Sequence, residues 1–223
     1  MSLNTLRVEV CEANKRLERL MTNPLARGEV SGIDRESGRV VAKPDGVSAA
    51  NLTPDLMSVV NLNGTILEGA KAPSQEIIIH LVLYRSFPGI GGVTSTHTTY
   101  AAMFAQALRP IPCLGTIHAE HFRGEIPVTR ALRKPEIEGS YEQAIGQTIV
   151  ERFNRIVPSE IPAVLVAHHG PVTWGKTAAE SVFNSVALEE TARLAFGTIQ
   201  LDAARTPIPV PMMEKHFHRA RTA

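Results

Sequence analysis

Residues 163–176 read AVLVAHHGPVTWGK, which is two apolar runs separated by a short polar turn. The first run, 163–167, is continuous and aliphatic, which predicts a buried strand. A Gly-Pro pair follows the turn, so 172–174 is predicted to form a second strand. A long helix is predicted to follow over 177–200. This order places the two histidines of the turn at a strand end, where α/β proteins commonly build their sites.

The same patterns predict the remaining elements along the chain. Leucines and valines recur at helical spacing over 3–21, which indicates an amphipathic helix. Ser74 precedes the apolar run 76–87 and is predicted to cap a helix there. The other predicted elements are a loop with a short strand over 22–36, strands at 40–41, 58–62, 65–67 and 90–93, a hairpin turn at Asn63-Gly64, helices at 99–108 and 141–156, a proline-rich extended segment at 206–211 and a short helix at 213–219.

Composition and charge exclude several classes of protein. The chain has 223 residues, of which 43% are apolar and 20% charged, with a net charge of +1. A nearly neutral chain offers no electrostatic basis for binding nucleic acid or an anionic membrane surface. Its two cysteines fit no metal-binding or redox spacing, and charged residues interrupt the N-terminal segment where a signal peptide would be apolar. We expect one mixed α/β domain spanning 1–223 in the cytoplasm, with helices packed on a central sheet.

Histidines at predicted strand ends are the main chemical signal. The chain has eight histidines. His97 follows the strand at 90–93, and His169 follows the strand at 163–167. Glu76 opens a predicted helix and is a candidate carboxylate. Two imidazoles and a carboxylate are typical ligands of a catalytic metal ion with one open position. The alternative is that these are hydrogen-bonded loop histidines without a metal.

Short motifs in the same order along nearly the whole chain resemble one known family. They are VSGIDRE at 30–36, KPDGV at 43–47, LTPD at 52–55, EG at 68–69, KAPS at 71–74, YRSFPGIGG at 84–92, TH at 96–97, RPIP at 109–112, GTIHA at 115–119 and the stretch 163–176. On these motifs the chain resembles the L-ribulose-5-phosphate 4-epimerase branch of the class II aldolase and adducin family.

The resemblance implies a fold, an assembly and a reaction. The implied fold is a three-layer α/β/α domain with a largely antiparallel central sheet, assembled as a C4 homotetramer with the site at a subunit interface. The implied cofactor is a divalent metal, zinc first, with manganese or cobalt as alternatives. The metal polarises a sugar-phosphate ketone, so that a C–C bond can break and re-form with inverted configuration.

The metal and acid/base residues of the family can be placed on this sequence. The acidic ligand falls at Glu76, where the epimerases have aspartate and the related aldolases have glutamate. Two of the three histidine ligands fall at His97 and His169, whereas the third falls at Ser95. The resemblance places acid/base or site-lining roles at Glu120, Glu142 and His216. The tyrosine that serves as the family's second acid/base has no counterpart up to Ala223.

The phosphate-binding segments depart further from the family. The positions that the resemblance assigns to substrate and phosphate are Gly28, Glu29, Lys43, Asp45, Gly46, Ser74, Gln75 and Thr116. Glu29 stands where the family has asparagine, and Asp45 where it has serine. A phosphate dianion prefers neutral or cationic donors, so two carboxylates would weaken its binding, with Lys43 offsetting one of them.

Three functions therefore stay open at this point. The first is a metal-dependent epimerase of a ketopentose phosphate. The second is a metal-dependent sugar-phosphate aldolase of the same fold, favoured by Glu76 and the missing tyrosine. The third is a catalytically impaired scaffold of the family, favoured by Ser95, Glu29 and Asp45.

Overall fold

The computed structural model describes residues 2–21 and 27–222. Its centre is one seven-stranded sheet with the order β4-β3-β2-β1-β5-β7-β6, in which every pair of neighbouring strands is antiparallel. The strands are β1 (Gly28–Asp34), β2 (Arg39–Ala42), β3 (Ser58–Asn61), β4 (Ile66–Glu68), β5 (Gly92–Thr96), β6 (Ala163–Val166) and β7 (Gly170–Gly175).

Helices cover both faces of this sheet. They are α1 (Leu3–Leu20), α2 (Ile77–Ser86), α3 (Thr99–Gln106), α4 (Thr116–His121), α5 (Lys134–Glu138), α6 (Tyr141–Arg152), α7 (Ala178–Leu201) and α8 (Val210–Thr222). Alternate strand residues point to opposite faces, so Val40 packs against α2 and α6 whereas Val41 packs against α1 and α7. The expected three-layer α/β class with an antiparallel sheet is confirmed.

Strand β1 lies in the middle of the sheet, between β2 and β5. The Asn14 side chain of α1 donates to Val30 O at 2.9 Å and accepts from Val30 N at 3.0 Å, which fixes α1 on the strand. A Cβ on Gly32 would lie 2.8 Å from a methyl of Val10, so the glycine permits this close packing. The first residues of β1, Gly28 and Glu29, are thereby held beside β5.

Several local predictions were wrong. The segment expected to be mostly loop contains the seven-residue β1, and residues 22–26 lie outside the described part of the chain. The strand expected at 90–93 runs instead over Gly92–Thr96, so it includes polar residues whose side chains are buried. Ser74 does not cap α2, because its hydroxyl donates to Glu29 and the residue before the helix is Glu76. Helices α4 and α5 were not predicted, and α8 is longer than expected.

None of the helices in residues 2–21 and 27–222 is long and apolar enough to cross a membrane.

Candidate metal centre

Glu76, His97 and His169 come together at one end of the sheet. Each contributes one potential ligand atom, and these three atoms lie within 4.8 Å of one another. His169 Nε2 is 3.6 Å from a Glu76 oxygen, and the two imidazole rings have centroids 4.8 Å apart. Such separations suit one cation with a carboxylate and two imidazoles around it.

Three different elements position these side chains. Glu76 immediately precedes α2, where the helix dipole favours a negative charge. His97 follows β5 and its backbone N–H donates to Arg27 O at 2.9 Å. His169 lies in the turn between β6 and β7, where His168 adopts a left-handed φ of 62° that non-glycine residues rarely adopt.

The imidazole nitrogens fit a metal site. His97 Nδ1 and His169 Nε2 are buried and have no hydrogen-bond partner among the described residues. Buried polar atoms are normally paired, so such nitrogens indicate a missing ligand or ion. Burial lowers the pKa of His169, and His97 lowers it further while Glu76 opposes the shift. The resulting neutral imidazole is the form that binds a metal.

Ser95 faces a buried polar chain beside this cluster. Its hydroxyl lies 2.9 Å from His80 Nε2, while His80 Nδ1 lies 2.7 Å from the Ser31 hydroxyl, which also contacts the Tyr84 hydroxyl at 2.9 Å. Complete burial lowers the pKa of His80 to about 3, so this ring is neutral. Burial also raises the pKa of Tyr84. The Ser95 hydroxyl is therefore engaged by His80.

A cavity of about 370 Å³ opens beside the cluster. It brings together several of the residues assigned to phosphate and metal by resemblance: Gly28, Glu29, Lys43, Asp45, Ser74, Glu76 and His97. Glu29 is largely buried there, and this burial raises its pKa to about 7, while the Ser74 hydroxyl opposes the shift and Glu76 adds to it. The cavity is therefore rich in carboxylates for a phosphate pocket.

Other assigned residues lie outside this cavity. Gln75 and Glu142 line a separate cavity of about 560 Å³, although Glu142 is close enough to His169 to oppose the lowering of its pKa. Gly46 has a φ of +70° in the turn after Asp45, and Thr116 begins α4. The structure thus places part of the expected pocket around the cluster and part of it elsewhere.

Glu120 and His216 form a second group, on α4 and α8. Glu120 Oε1 lies 3.2 Å from His216 Nδ1 and accepts a hydrogen bond from Arg219 at 3.0 Å. These contacts, that with His216 first, lower the pKa of Glu120. Glu120 lines a cavity of about 1190 Å³ with Trp174 and Gly175, at the end of β7 opposite to His169.

Three residues near these groups were not singled out from the sequence as site residues. Tyr141 places its ring 6.4 Å from that of His169. His80 lies one helical turn after Glu76, a spacing that puts both on one side of α2 and that could have identified it. Arg219 pairs with Glu120 across 99 positions of sequence, for which no local signal exists.

Comparison with known proteins agrees with this architecture. Residues 8–196 match the profile of the Class II Aldolase and Adducin N-terminal domain. The chain is 42% identical over 217 residues to the L-ribulose-5-phosphate 4-epimerase UlaF of Salmonella paratyphi B, covering 97% of this chain and 95% of that protein. The same identity and coverage hold for the protein of that name from Salmonella typhi.

Solved structures give the same fold. A structure named L-fuculose 1-phosphate aldolase superposes with a TM-score of 0.80 at 21% identity, covering 97% of this chain and 96% of the other. YgbL of Klebsiella pneumoniae, described as a putative aldolase/epimerase/decarboxylase, superposes with a TM-score of 0.76 at 26% identity, covering 96% and 99%. With the profile match over most of its length, the chain belongs to the class II aldolase and adducin family.

Proposed function

We propose that this chain is a metal-dependent epimerase of a ketopentose phosphate, of the L-ribulose-5-phosphate 4-epimerase type, that acts in carbohydrate metabolism. The observation that carries the proposal is the convergence of Glu76, His97 and His169 within 4.8 Å. The 42% identity to epimerases of that name supports the choice of reaction.

Glu76, His97 and His169 would hold the cation, zinc first and manganese or cobalt as alternatives. When bound, it would polarise the ketone of the substrate as a Lewis acid. Glu76 contributes a carboxylate, and the two histidines contribute ring nitrogens that have no hydrogen-bond partner among the described residues. Ser95 would add no strong ligand, because its hydroxyl is engaged by His80.

Glu120 is the proposed general acid/base, with His216 holding it in position and Glu142 lining the site near His169. Glu120 shares a cavity with Trp174 and Gly175, whereas the metal cluster lies at the other end of β7. A six-residue strand is roughly 16 to 20 Å long, so Glu120 cannot reach the cluster of its own chain. We therefore propose that it completes the site of a neighbouring copy in a C4 homotetramer.

The remaining assigned residues would bind the substrate tail. Lys43 and Ser74 can contact a phosphate in the 370 Å³ cavity, with Gly28, Glu29 and Asp45 around them. Gly46 would contact substrate from the turn after Asp45. Gln75 and Thr116 would contact substrate from the rim or from a neighbouring copy. Residues 1–223 would form one domain, located in the cytoplasm. Its small-molecule partner would be a sugar phosphate, and it would bind neither nucleic acid nor membrane.

A second candidate is a sugar-phosphate aldolase that cleaves the same bond without re-forming it. The observation that favours it is the glutamate at position 76. By the resemblance described above, the related aldolases have glutamate at this position, whereas the epimerases have aspartate. A third candidate is a catalytically impaired scaffold, favoured by the carboxylates of Glu29 and Asp45 in the phosphate cavity.

One assay separates the three candidates. Purified protein with added zinc or manganese is incubated with L-ribulose 5-phosphate, and the products are resolved by chromatography. D-xylulose 5-phosphate supports the epimerase, and release of a triose phosphate supports the aldolase. No product together with no bound metal supports the scaffold and contradicts the proposal.

A further inference from the structure

Glu29 is directly opposite Ser95 in the sheet. The two residues are partners in the antiparallel register of β1 and β5. Directly opposite residues of antiparallel strands point to the same face, at a Cβ separation of roughly 5 Å. The contacts agree, because Ser95 reaches His80 of α2 and Glu29 reaches Ser74 just before α2.

Glu29 faces the metal cluster without a cation of its own. It lines the same cavity as Glu76 and His97, and the charge of Glu76 contributes to raising its pKa. No lysine, arginine or histidine nitrogen of the described residues lies within 4.0 Å of its carboxylate, Lys43 included. A buried carboxylate normally has a cationic or metal partner.

The cluster of Glu76, His97 and His169 has few strong ligands for a divalent cation. Glu76, His97 and His169 provide one carboxylate for a divalent cation, and two of their ring nitrogens have no hydrogen-bond partner in residues 2–21 and 27–222. Ser95 is engaged by His80 and adds no strong ligand. One cation would therefore satisfy both the cluster nitrogens without a hydrogen-bond partner and the Glu29 carboxylate, whose one named partner is the neutral Ser74 hydroxyl.

We propose that Glu29 supplies a second carboxylate to the cation held by Glu76, His97 and His169. The metal centre of this chain then has two imidazoles and two carboxylates, one of them from β1. Oε2 of Glu29 accepts the hydrogen bond of Ser74, which leaves Oε1 for the cation. The inference rests on the proposed function only in that it requires a metal at this cluster.

The test measures metal binding without turnover. Metal-free wild type, Glu29→Gln, Asp45→Asn and His169→Ala are titrated with Zn²⁺ and Mn²⁺ by calorimetry with a competing chelator. We expect Glu29→Gln to weaken binding about 10- to 100-fold, and the matched Asp45→Asn change to alter it less than about twofold. Unchanged affinity in Glu29→Gln overturns the inference.

Two further measurements distinguish the loss of a metal ligand from damage to the fold. They are the absorption spectrum of the cobalt-loaded protein and the recovery of affinity by a second substitution. The visible absorption bands of the Co²⁺-loaded protein should change in Glu29→Gln and not in Asp45→Asn, because they report the ligands of the cobalt. Adding Ser95→His to Glu29→Gln should recover about tenfold of the lost affinity. An unchanged cobalt spectrum in Glu29→Gln overturns the inference.

The two proposals fail in different ways. If wild type binds no metal, the proposed metal-dependent function fails. If wild type binds metal, His169→Ala loses it and Glu29→Gln keeps it at full affinity, only the role of Glu29 fails.

Discussion

The end of the sheet that holds Glu76, His97 and His169 differs sharply from the α4–α8 face that holds Glu120. At the first, buried ring nitrogens have no hydrogen-bond partner among the described residues. At the second, Glu120 is bonded to both His216 and Arg219 and is partly exposed to solvent. An incomplete buried cluster suits an ion, whereas a satisfied surface carboxylate suits a proton carrier presented to another molecule. The difference supports the proposal that Glu120 of one chain completes the metal site of a neighbouring copy.

The largest expected effect comes from His169→Ala. Removing one of two imidazoles should lower zinc affinity about 100-fold or more, and lower kcat/KM about 1000-fold or more, because the ketone is no longer polarised. Zinc content after dialysis and the epimerase assay measure the two effects.

His168 provides the matched control for that change. It is adjacent in sequence, exposed, and outside the cluster. His168→Asn keeps a residue that tolerates a left-handed φ, so zinc affinity and activity should stay within about twofold of wild type. Equal losses in the two variants would show that the turn, and not the ligand, matters.

Glu120→Gln should have the next largest effect on activity. It tests the role of the α4–α8 face. Loss of a general acid/base lowers kcat about 100- to 10,000-fold. Zinc binding should not change, because Glu120 is remote from the cluster.

Mixed oligomers test whether Glu120 acts on the metal site of a neighbouring copy. Glu120→Gln chains co-assembled with His169→Ala chains should regain part of the wild-type activity, because some interfaces combine an intact cluster with an intact Glu120. Complete inactivity of the mixture, with co-assembly verified by mass spectrometry, would contradict a site shared between copies.

A pH dependence should distinguish His80, buried beneath the cluster, from surface histidines. The folded-state pKa of His80 is lowered to about 3, below its unfolded value near 6.5. The unfolded chain therefore binds the proton first as pH falls, so this contribution to stability is complete above pH 6.5 and is lost on acidification. On going from pH 7 to pH 5, the His80 contribution should lower the free energy of unfolding by about 2 kcal/mol.

Denaturant unfolding at several pH values measures that loss. His118 is also buried, with its pKa lowered to about 4, so it contributes in the same direction. The useful comparison is therefore between wild type and His80→Gln. On going from pH 7 to pH 5, the free energy of unfolding of the variant should fall by about 2 kcal/mol less than that of wild type. Identical pH dependence in both would contradict a neutral buried His80.

The smallest expected effect is that of Asp45→Ser in the cavity beside the cluster. Asp45 is exposed, so removing its charge should improve the KM for a phosphorylated substrate only about two- to fivefold. The gain should shrink at high salt, because exposed charges are screened. Unchanged KM at low salt would show that phosphate does not bind near Asp45.

The apolar pattern predicted much of the fold, including β6, β7 and α7. It failed for β1 because Gly28, Glu29 and Gly32 resemble loop residues, whereas Gly32 is needed for the close packing of Val10 on the strand. It misplaced β5 because the buried strand carries hydroxyls. These are satisfied by pairing, as between Thr94 and Ser181 at 2.7 Å, which a hydropathy pattern cannot reveal.

The candidate site was likewise predicted only in part from the sequence. Resemblance assigned Glu76, His97 and His169 together, although they span 94 positions between the first and the last. The opposition of Glu29 and Ser95 depends on the register of two strands about 60 residues apart, and register is a tertiary property. The pairing of Glu120 with α8 likewise requires the packed structure.

An anomalous diffraction map, recorded at the zinc absorption edge from crystals of the zinc-loaded protein, would show whether Glu76, His97 and His169 hold one cation. We expect one strong peak about 2.0 to 2.3 Å from Glu76, His97 and His169 in each chain. A zinc-loaded crystal with no peak among these three side chains, or with the peak elsewhere, would show that they do not form the metal site.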